Sequence, residues 1–315
     1  MHAAEPTLAA LSNPALRYFL ATRPPFLGVT LFACLIGLAT AFASDVIIRP
    51  TTAIVTVIFA LLAHAGINVL NDYYDALNGT DANNTERIFP FTGGSRFIQN
   101  GVLSLRETAV FGVLLIVVVV AAGLWLVTVS VPGLLWIGAA GLVIGWAYSA
   151  PPLKLNGRGM GEISVWAGFA LIAVGADFVQ RGKFSTLPLI AVAGYALLVT
   201  NILYINQFPD RRADQAAGKH HWVVRLGPAR ARWGYLGIAL GAYAWLVGAV
   251  IFGLLRWPVL VALLPAIMSE RASRDLLRHA DSPARLTTAI KLTIGAASLH
   301  GILLAVSLVA AHFFG

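Results

Sequence analysis

Apolar residues run along this chain in blocks long enough to cross a bilayer, separated by short polar breaks. A spanning helix needs about 20 predominantly apolar residues. The blocks and their breakers predict nine spans, at roughly 24 to 44, 50 to 72, 108 to 129, 133 to 149, 161 to 179, 186 to 206, 232 to 254, 257 to 270 and 288 to 313. The eighth is the shortest. Val131-Pro132-Gly133, Gln180-Arg181-Gly182-Lys183 and Arg256-Trp257-Pro258 are the turns that split longer runs into hairpins. The run from Pro24 to Ser44 is too long for a signal-peptide core and lacks a convincing cleavage site, so it reads as the first span. The expected fold is an all-α integral membrane protein with about nine transmembrane helices around a central cavity. A single transmembrane domain over residues 1–315 leaves no room for a soluble one.

Composition agrees with that pattern. The chain is 58% hydrophobic and 11% charged, against about 25% charged in ordinary soluble domains. Its single cysteine, Cys34, lies inside the first apolar run, which argues against a disulfide framework or a thiolate metal cluster. The net charge of +8 does not point to nucleic acid, because the basic residues are spread over short loops. Of the 22 Lys and Arg, the odd-to-even turns hold only Arg49, Arg181, Lys183 and Arg256. The positive-inside rule then places the N-terminus and the loops near 73 to 107, 150 to 160, 207 to 231 and 271 to 287 in the cytoplasm. A bacterial-type inner membrane is the expected location.

Against this apolar background two acidic clusters stand out. The first is Asn68-Val69-Leu70-Asn71-Asp72-Tyr73-Tyr74-Asp75, continuing to Asp81; the second is Asn206-Gln207-Phe208-Pro209-Asp210 with Asp214. Each closes an even-numbered span, and Asp72 and Asp210 lie 138 positions apart, which suggests two pseudo-repeated halves facing each other. On a helix, residues three and four apart share a face. His64, Asn68, Asn71 or Asp72, and Asp75 form such a stripe, and Asn206, Asp210 and Asp214 form another, with Pro209 expected to kink or restart the second helix. Charged groups are costly in lipid and belong in the bundle interior or a water-filled cavity.

Brought together, Asp72, Asp75, Asp81, Asp210 and Asp214 would repel one another unless cations joined them. Mg2+ prefers oxygen ligands and is commonly held by one or two carboxylates plus substrate phosphates, so the implied substrate is a diphosphate. Asp72, Asp75, Asp210 and Asp214 are the candidate metal ligands. Arg87, Arg96, Lys154, Arg158, Lys219 and Arg225 are loop cations able to clamp phosphate oxygens. Lys154 closes Tyr148-Ser149-Ala150-Pro151-Pro152-Leu153-Lys154. That segment reads either as an interfacial anchor or as Tyr148 beside a reacting cation with Lys154 on the diphosphate. Glu162 and Asp177 need partners that the sequence does not identify.

At these residues the chain resembles the UbiA superfamily of intramembrane prenyltransferases, over most of its length. The family pattern N-D-x-x-D with a later Asp matches Asn71, Asp72, Asp75 and Asp81, and its D-x-x-x-D matches Asp210 and Asp214. Ala217-Gly218-Lys219 and Val223-Val224-Arg225-Leu226-Gly227 also look like family motifs. The six-residue step from Asp75 to Asp81 resembles the menaquinone-type enzymes, as do Arg23-Pro24-Pro25-Phe26-Leu27, Phe91-Thr92-Gly93-Gly94-Ser95-Arg96 and Gly159-Met160-Gly161-Glu162. The resemblance implies Mg-dependent transfer of a polyprenyl group from a polyprenyl diphosphate to an aromatic acceptor, 1,4-dihydroxy-2-naphthoate in menaquinone biosynthesis. It assigns Asp72, Asp75, Asp210, Asp214 and Tyr148 to catalysis. Asn68, Asn71, Asp81, Arg87, Arg96, Lys154, Asn206 and Lys219 go to substrate binding. His220-His221-Trp222, Ala167-Gly168-Phe169-Ala170 and Asp177 depart from the menaquinone-type pattern. Other acceptors therefore stay open: 4-hydroxybenzoate, a chlorin, homogentisate or a glycerol lipid. An ion-coupled transporter is the rival from another class, since it too would carry buried carboxylates on helical repeats.

Overall fold

A computed structural model describes residues 4–313 of the chain. It is all-helical among those residues. In chain order the α-helices are α1 (Pro14–Ala21), α2 (Pro24–Phe42), α3 (Pro50–Leu77), α4 (Thr80–Asn83), α5 (Leu105–Val129), α6 (Leu134–Ser149), α7 (Gly161–Arg181), α8 (Leu187–Ala216), α9 (Trp222–Leu226), α10 (Pro228–Ile251), α11 (Ala266–His279) and α12 (Thr287–Phe313). Proline opens α2, α3 and α10, where its missing N–H costs nothing and its fixed φ suits the first turn. A Ser104–Glu107 capping box starts α5.

Seven helices, α2, α3, α5, α7, α8, α10 and α12, are long and apolar enough to cross a membrane, and α6 is a shorter apolar helix. The molecule is a multi-pass membrane protein. The expected eighth span, 257 to 270, is not one helix. A 3-10 segment at Trp257–Leu263 ends before Pro265, and α11 then begins at Ala266. The break follows from Pro258 and Pro265, and α11 carries Glu270, Arg271, Arg274, Asp275 and Arg278, which suit water rather than lipid. Pro209, expected to kink or restart its helix, lies inside a continuous α8.

α8 is the centre of the bundle: 78% of its most apolar stretch is buried, against 11% for α5 at the periphery. The main core joins α2, α7, α8, α10 and α12 through residues such as Ile36, Ala173, Tyr195, Leu246 and Leu304. Close helix crossings depend on small residues. A Cβ on Gly37 of α2 would fall 2.1 Å from the Ala173 carbonyl oxygen of α7.

Asp177 finds its partners at the end of α7 remote from the acidic clusters. Arg181 Nε donates to Asp177 Oδ1 at 2.7 Å, Arg181 also donates to Oδ2, and the Thr40 hydroxyl donates to Oδ2 at 3.0 Å. The position that departs from the menaquinone-type pattern is thus a buried ion pair inside the bundle. Removing one member of such a pair typically costs about 3–5 kcal/mol. Asp177→Ala is expected to lower the Tm in detergent and leave acceptor preference unchanged, as measured by thermal unfolding and an acceptor panel.

Candidate functional site

The site begins where α3 and α8 outrun their apolar stretches while remaining helical. α3 continues through Asp75 to Leu77, and α8 through Asp214 to Ala216. Their ends face a cavity of about 560 Å³, within the usual size range of small-molecule sites. Asn68, Asn71, Asp75, Asp81, Asn206, Asp210, Asp214 and Lys219 line its polar end. Below them the wall turns apolar, with Leu124, Leu135, Leu142, Phe169 and Ile172 among its residues.

One lysine ties the two clusters together. Lys219 Nζ lies 2.8 Å from Asp75 Oδ1 and 3.0 Å from Asp214 Oδ1. Burial works against its charge, but the two carboxylates outweigh that and hold its pKa above the ordinary lysine range. His221 Nε2 stands 3.1 Å from Asp214 Oδ2. Asn84 donates to Asp210 Oδ1 at 2.5 Å, which joins the loop after α4 to α8. Asn71 donates to Ser149 Oγ at 2.8 Å and anchors the end of α6, whose Tyr148 lines the cavity.

Asp81 is the most isolated carboxylate. Its Oδ2 has no hydrogen-bond partner among the described residues. Burial, then the neighbouring Asp75 and Asp72 carboxylates, push its pKa well above the usual range. The Gly93-Gly94 turn packs directly over it. Gly94 has φ +72, and a Cβ there would sit 2.2 Å from Asp81 Oδ2, so this turn requires glycine on both grounds.

Several expected site residues take other positions. Asp72 is not among the residues that line the cavity: Ser95 N–H donates to its Oδ2 at 3.2 Å, and Arg23 Nη1 lies 3.9 Å from Oδ1, which has no hydrogen-bond partner among the described residues. One helical position separates it from Asn71, which turns it onto the neighbouring face. Arg87 and Arg96 do not line the cavity either. Arg87 Nη2 pairs with Glu5 at 2.6 Å, Arg96 Nε lies 3.6 Å from Glu5, and Arg96 also donates to the Asp81 carbonyl oxygen. Lys154 is exposed, with a positive φ after the Pro151-Pro152 turn. Arg158 and Arg225 hold backbone carbonyls of the same loops.

The structure adds residues that sequence reasoning did not assign to the site. Arg23 lines the cavity, lies 4.9 Å above the Phe26 ring, and has a buried Nε without a hydrogen-bond partner among the described residues. Its visible signal was a cation immediately before an apolar span. His221 and Asn84 reach the carboxylates through chain folding, and no local pattern marks them. Glu162 accepts from Gln207 at 2.8 Å, which supplies the partner its burial demanded.

No three His, Cys, Asp or Glu residues among the described ones converge into a self-sufficient metal cage. Carboxylates at one cavity mouth, with Asp81 Oδ2 unpartnered, instead fit a divalent ion that completes its shell with water and substrate phosphate. Asp72, set behind the wall, is the candidate that fits this arrangement least.

Comparison with known proteins identifies the family. The model of the UbiA prenyltransferase family matches residues 30–295. The 1,4-dihydroxy-2-naphthoate octaprenyltransferase of Escherichia coli is 27% identical, over 89% of this chain and 91% of that protein. Its Mycobacterium leprae counterpart is 25% identical, over 80% and 84%. A UbiA homologue from Aeropyrum pernix superposes with a TM-score of 0.65 at 18% identity, covering 90% of this chain and 97% of that one. An Archaeoglobus fulgidus homologue solved with DMAPP and Mg2+ gives 0.58 at 16% identity, covering 92% and 99%. These two likenesses concern the fold. The apolar bundle, the paired Asp clusters and the matched length agree: this chain belongs to the UbiA prenyltransferase family.

Proposed function

We propose that the chain transfers a polyprenyl group from a polyprenyl diphosphate to 1,4-dihydroxy-2-naphthoate, with Mg2+, in menaquinone biosynthesis. The observation that carries this reading is the cavity itself: carboxylates with a bridging lysine at one end, apolar walls below. The naphthoate prenyltransferases among its relatives support the acceptor. The buried, unpartnered Nε of Arg23 favours an acceptor that carries a carboxylate.

Asp75, Asp81, Asp210 and Asp214 would hold Mg2+, and Asp72 would support that end of α3 from behind. Mg2+ supplies charge that stabilises the departing diphosphate. Lys219 turns from Asp75 and Asp214 to the phosphate oxygens when the diphosphate enters. The allylic C–O bond breaks with its electron pair leaving on the diphosphate. The acceptor ring forms the new C–C bond and loses its carboxylate. Tyr148 and Asn68 bound the reacting region, and the apolar walls keep water from the allylic cation. Asn71 positions Asp75, and Asn206 holds the Phe91 carbonyl oxygen over the site at 3.3 Å. By the distribution of Lys and Arg, the site faces the cytoplasm.

The test is direct. Purified protein in detergent receives a labelled polyprenyl diphosphate, Mg2+ and a panel of aromatic acids, and products are identified by mass. The expected product is the prenylated, decarboxylated naphthalene diol. No product with any aromatic acceptor would sink the reading, and a product formed only from another acid would replace the acceptor.

A further inference from the structure

The polar stripe of α3 does not end at the diphosphate. Asp75, Asn71, Asn68 and His64 all line the cavity. At 1.5 Å per residue, His64 lies about 10 Å deeper along the helix than Asn71. Its Nδ1 is 2.7 Å from the hydroxyl of Thr30, a fully buried residue of α2. Nε2 has no hydrogen-bond partner among the described residues, and His64 lines the cavity.

An imidazole at this depth is out of place if only an isoprenoid tail passes it, because an unpaired polar group in an apolar site is costly. Its free nitrogen calls for a polar ligand atom. The surroundings are aromatic: the Phe169 ring stands edge-on to His64 at 5.7 Å and 89°, and Phe26 lines the same cavity under Arg23. With Thr30 on Nδ1, either neutral tautomer leaves Nε2 able to donate or to accept one hydrogen bond. A ring hydroxyl does both and satisfies either tautomer. A carboxylate only accepts, so it would suit the Nε2–H tautomer alone, and Thr30 is the one hydrogen-bond partner of His64 among the described residues.

Resting on the aromatic acceptor proposed above, we infer that His64 Nε2 binds a ring hydroxyl of that acceptor and sets how the ring is presented to the allylic carbon. Thr30 fixes the imidazole and acts as its positioning residue.

The experiment compares the intact wild-type protein with His64→Leu, His64→Ala and His64→Gln in detergent. It uses a dihydroxy aromatic acid and its mono-methyl ethers as acceptors. In His64→Leu and His64→Ala the acceptor KM is expected to rise about tenfold, the loss of one hydrogen bond, while the KM for the prenyl diphosphate stays unchanged. His64→Gln, which retains a donor and an acceptor, is expected to recover most of the loss. Wild type should discriminate against one ether, and His64→Leu should lose that discrimination. Unchanged acceptor KM and ether discrimination in both truncations, or equal rises in the KM of donor and acceptor, would overturn the assignment while leaving the activity established. A wild-type protein inactive on every aromatic acceptor would instead overturn the function on which it rests.

Discussion

Asp75→Asn is expected to lower prenyl transfer by about a hundred- to a thousandfold, the scale on which losing one preorganised electrostatic contact to a developing charge acts. The geometry isolates the effect. Asp75 stands on the cavity wall and touches Lys219, yet Lys219 keeps Asp214 at 3.0 Å after the change. The amide preserves the size of the side chain, and no buried cation is stranded. The folded protein should therefore survive with nearly wild-type Tm while turnover collapses. Initial rates at saturating donor and Mg2+, read beside a thermal unfolding curve, separate the two. An active Asp75→Asn protein would mean that Asp75 neither holds the ion nor shapes the leaving group's environment. The equivalent change at Asp72 is expected to cost less, because Asp72 bonds Ser95 and faces Arg23 from behind the wall.

Some of these residues are legible in the sequence and others only in the structure, and the division is physical. Long apolar runs closed by Asp are strong signals, since lipid forbids unpaired carboxylates; α3 and α8, with their cavity-facing Asp75, Asp210 and Asp214, follow from them. The partner of Asp177 was also within reach, because Arg181 stands four residues on along one helix. Apart from Lys219, the loop cations were not legible. Arg87 and Arg96 look like phosphate clamps until Glu5, more than 80 residues earlier in the chain, folds back and pairs with both. Lys154 follows a Pro-Pro turn whose geometry, not its charge, decides where it points. Between Asn71 and Asp72 a single helical step decides which residue sees the cavity, and a stripe read at three- and four-residue spacing admits both. The eighth span failed for a related reason. Average hydropathy over 257 to 270 hides two prolines that end helices locally.

Lys219→Met carries the second large effect, this time on stability. With this lysine gone, Asp75 loses its 2.8 Å ion pair outright, and Asp214 is left with His221 at 3.1 Å. Both carboxylates are buried, and leaving buried charges unpaired costs about 3–5 kcal/mol. A lysine whose folded pKa is raised stabilises the protein fully below its unfolded pKa of 10.5 and loses that contribution only as pH rises through the higher folded value. The loss should therefore appear undiminished across the neutral range, as a lower Tm at pH 6 and pH 8 alike. Activity should fall as well, since the same ammonium is expected on the phosphate oxygens. The carboxylates that lose Lys219 become a more anionic site, so Mg2+ should raise the Tm of Lys219→Met more than that of wild type, by binding the folded state alone. Unfolding curves with and without Mg2+ test both halves. A variant as stable as wild type without metal would show that Lys219 does not neutralise the acidic clusters. One destabilised but indifferent to Mg2+ would show that those carboxylates are not where the ion binds.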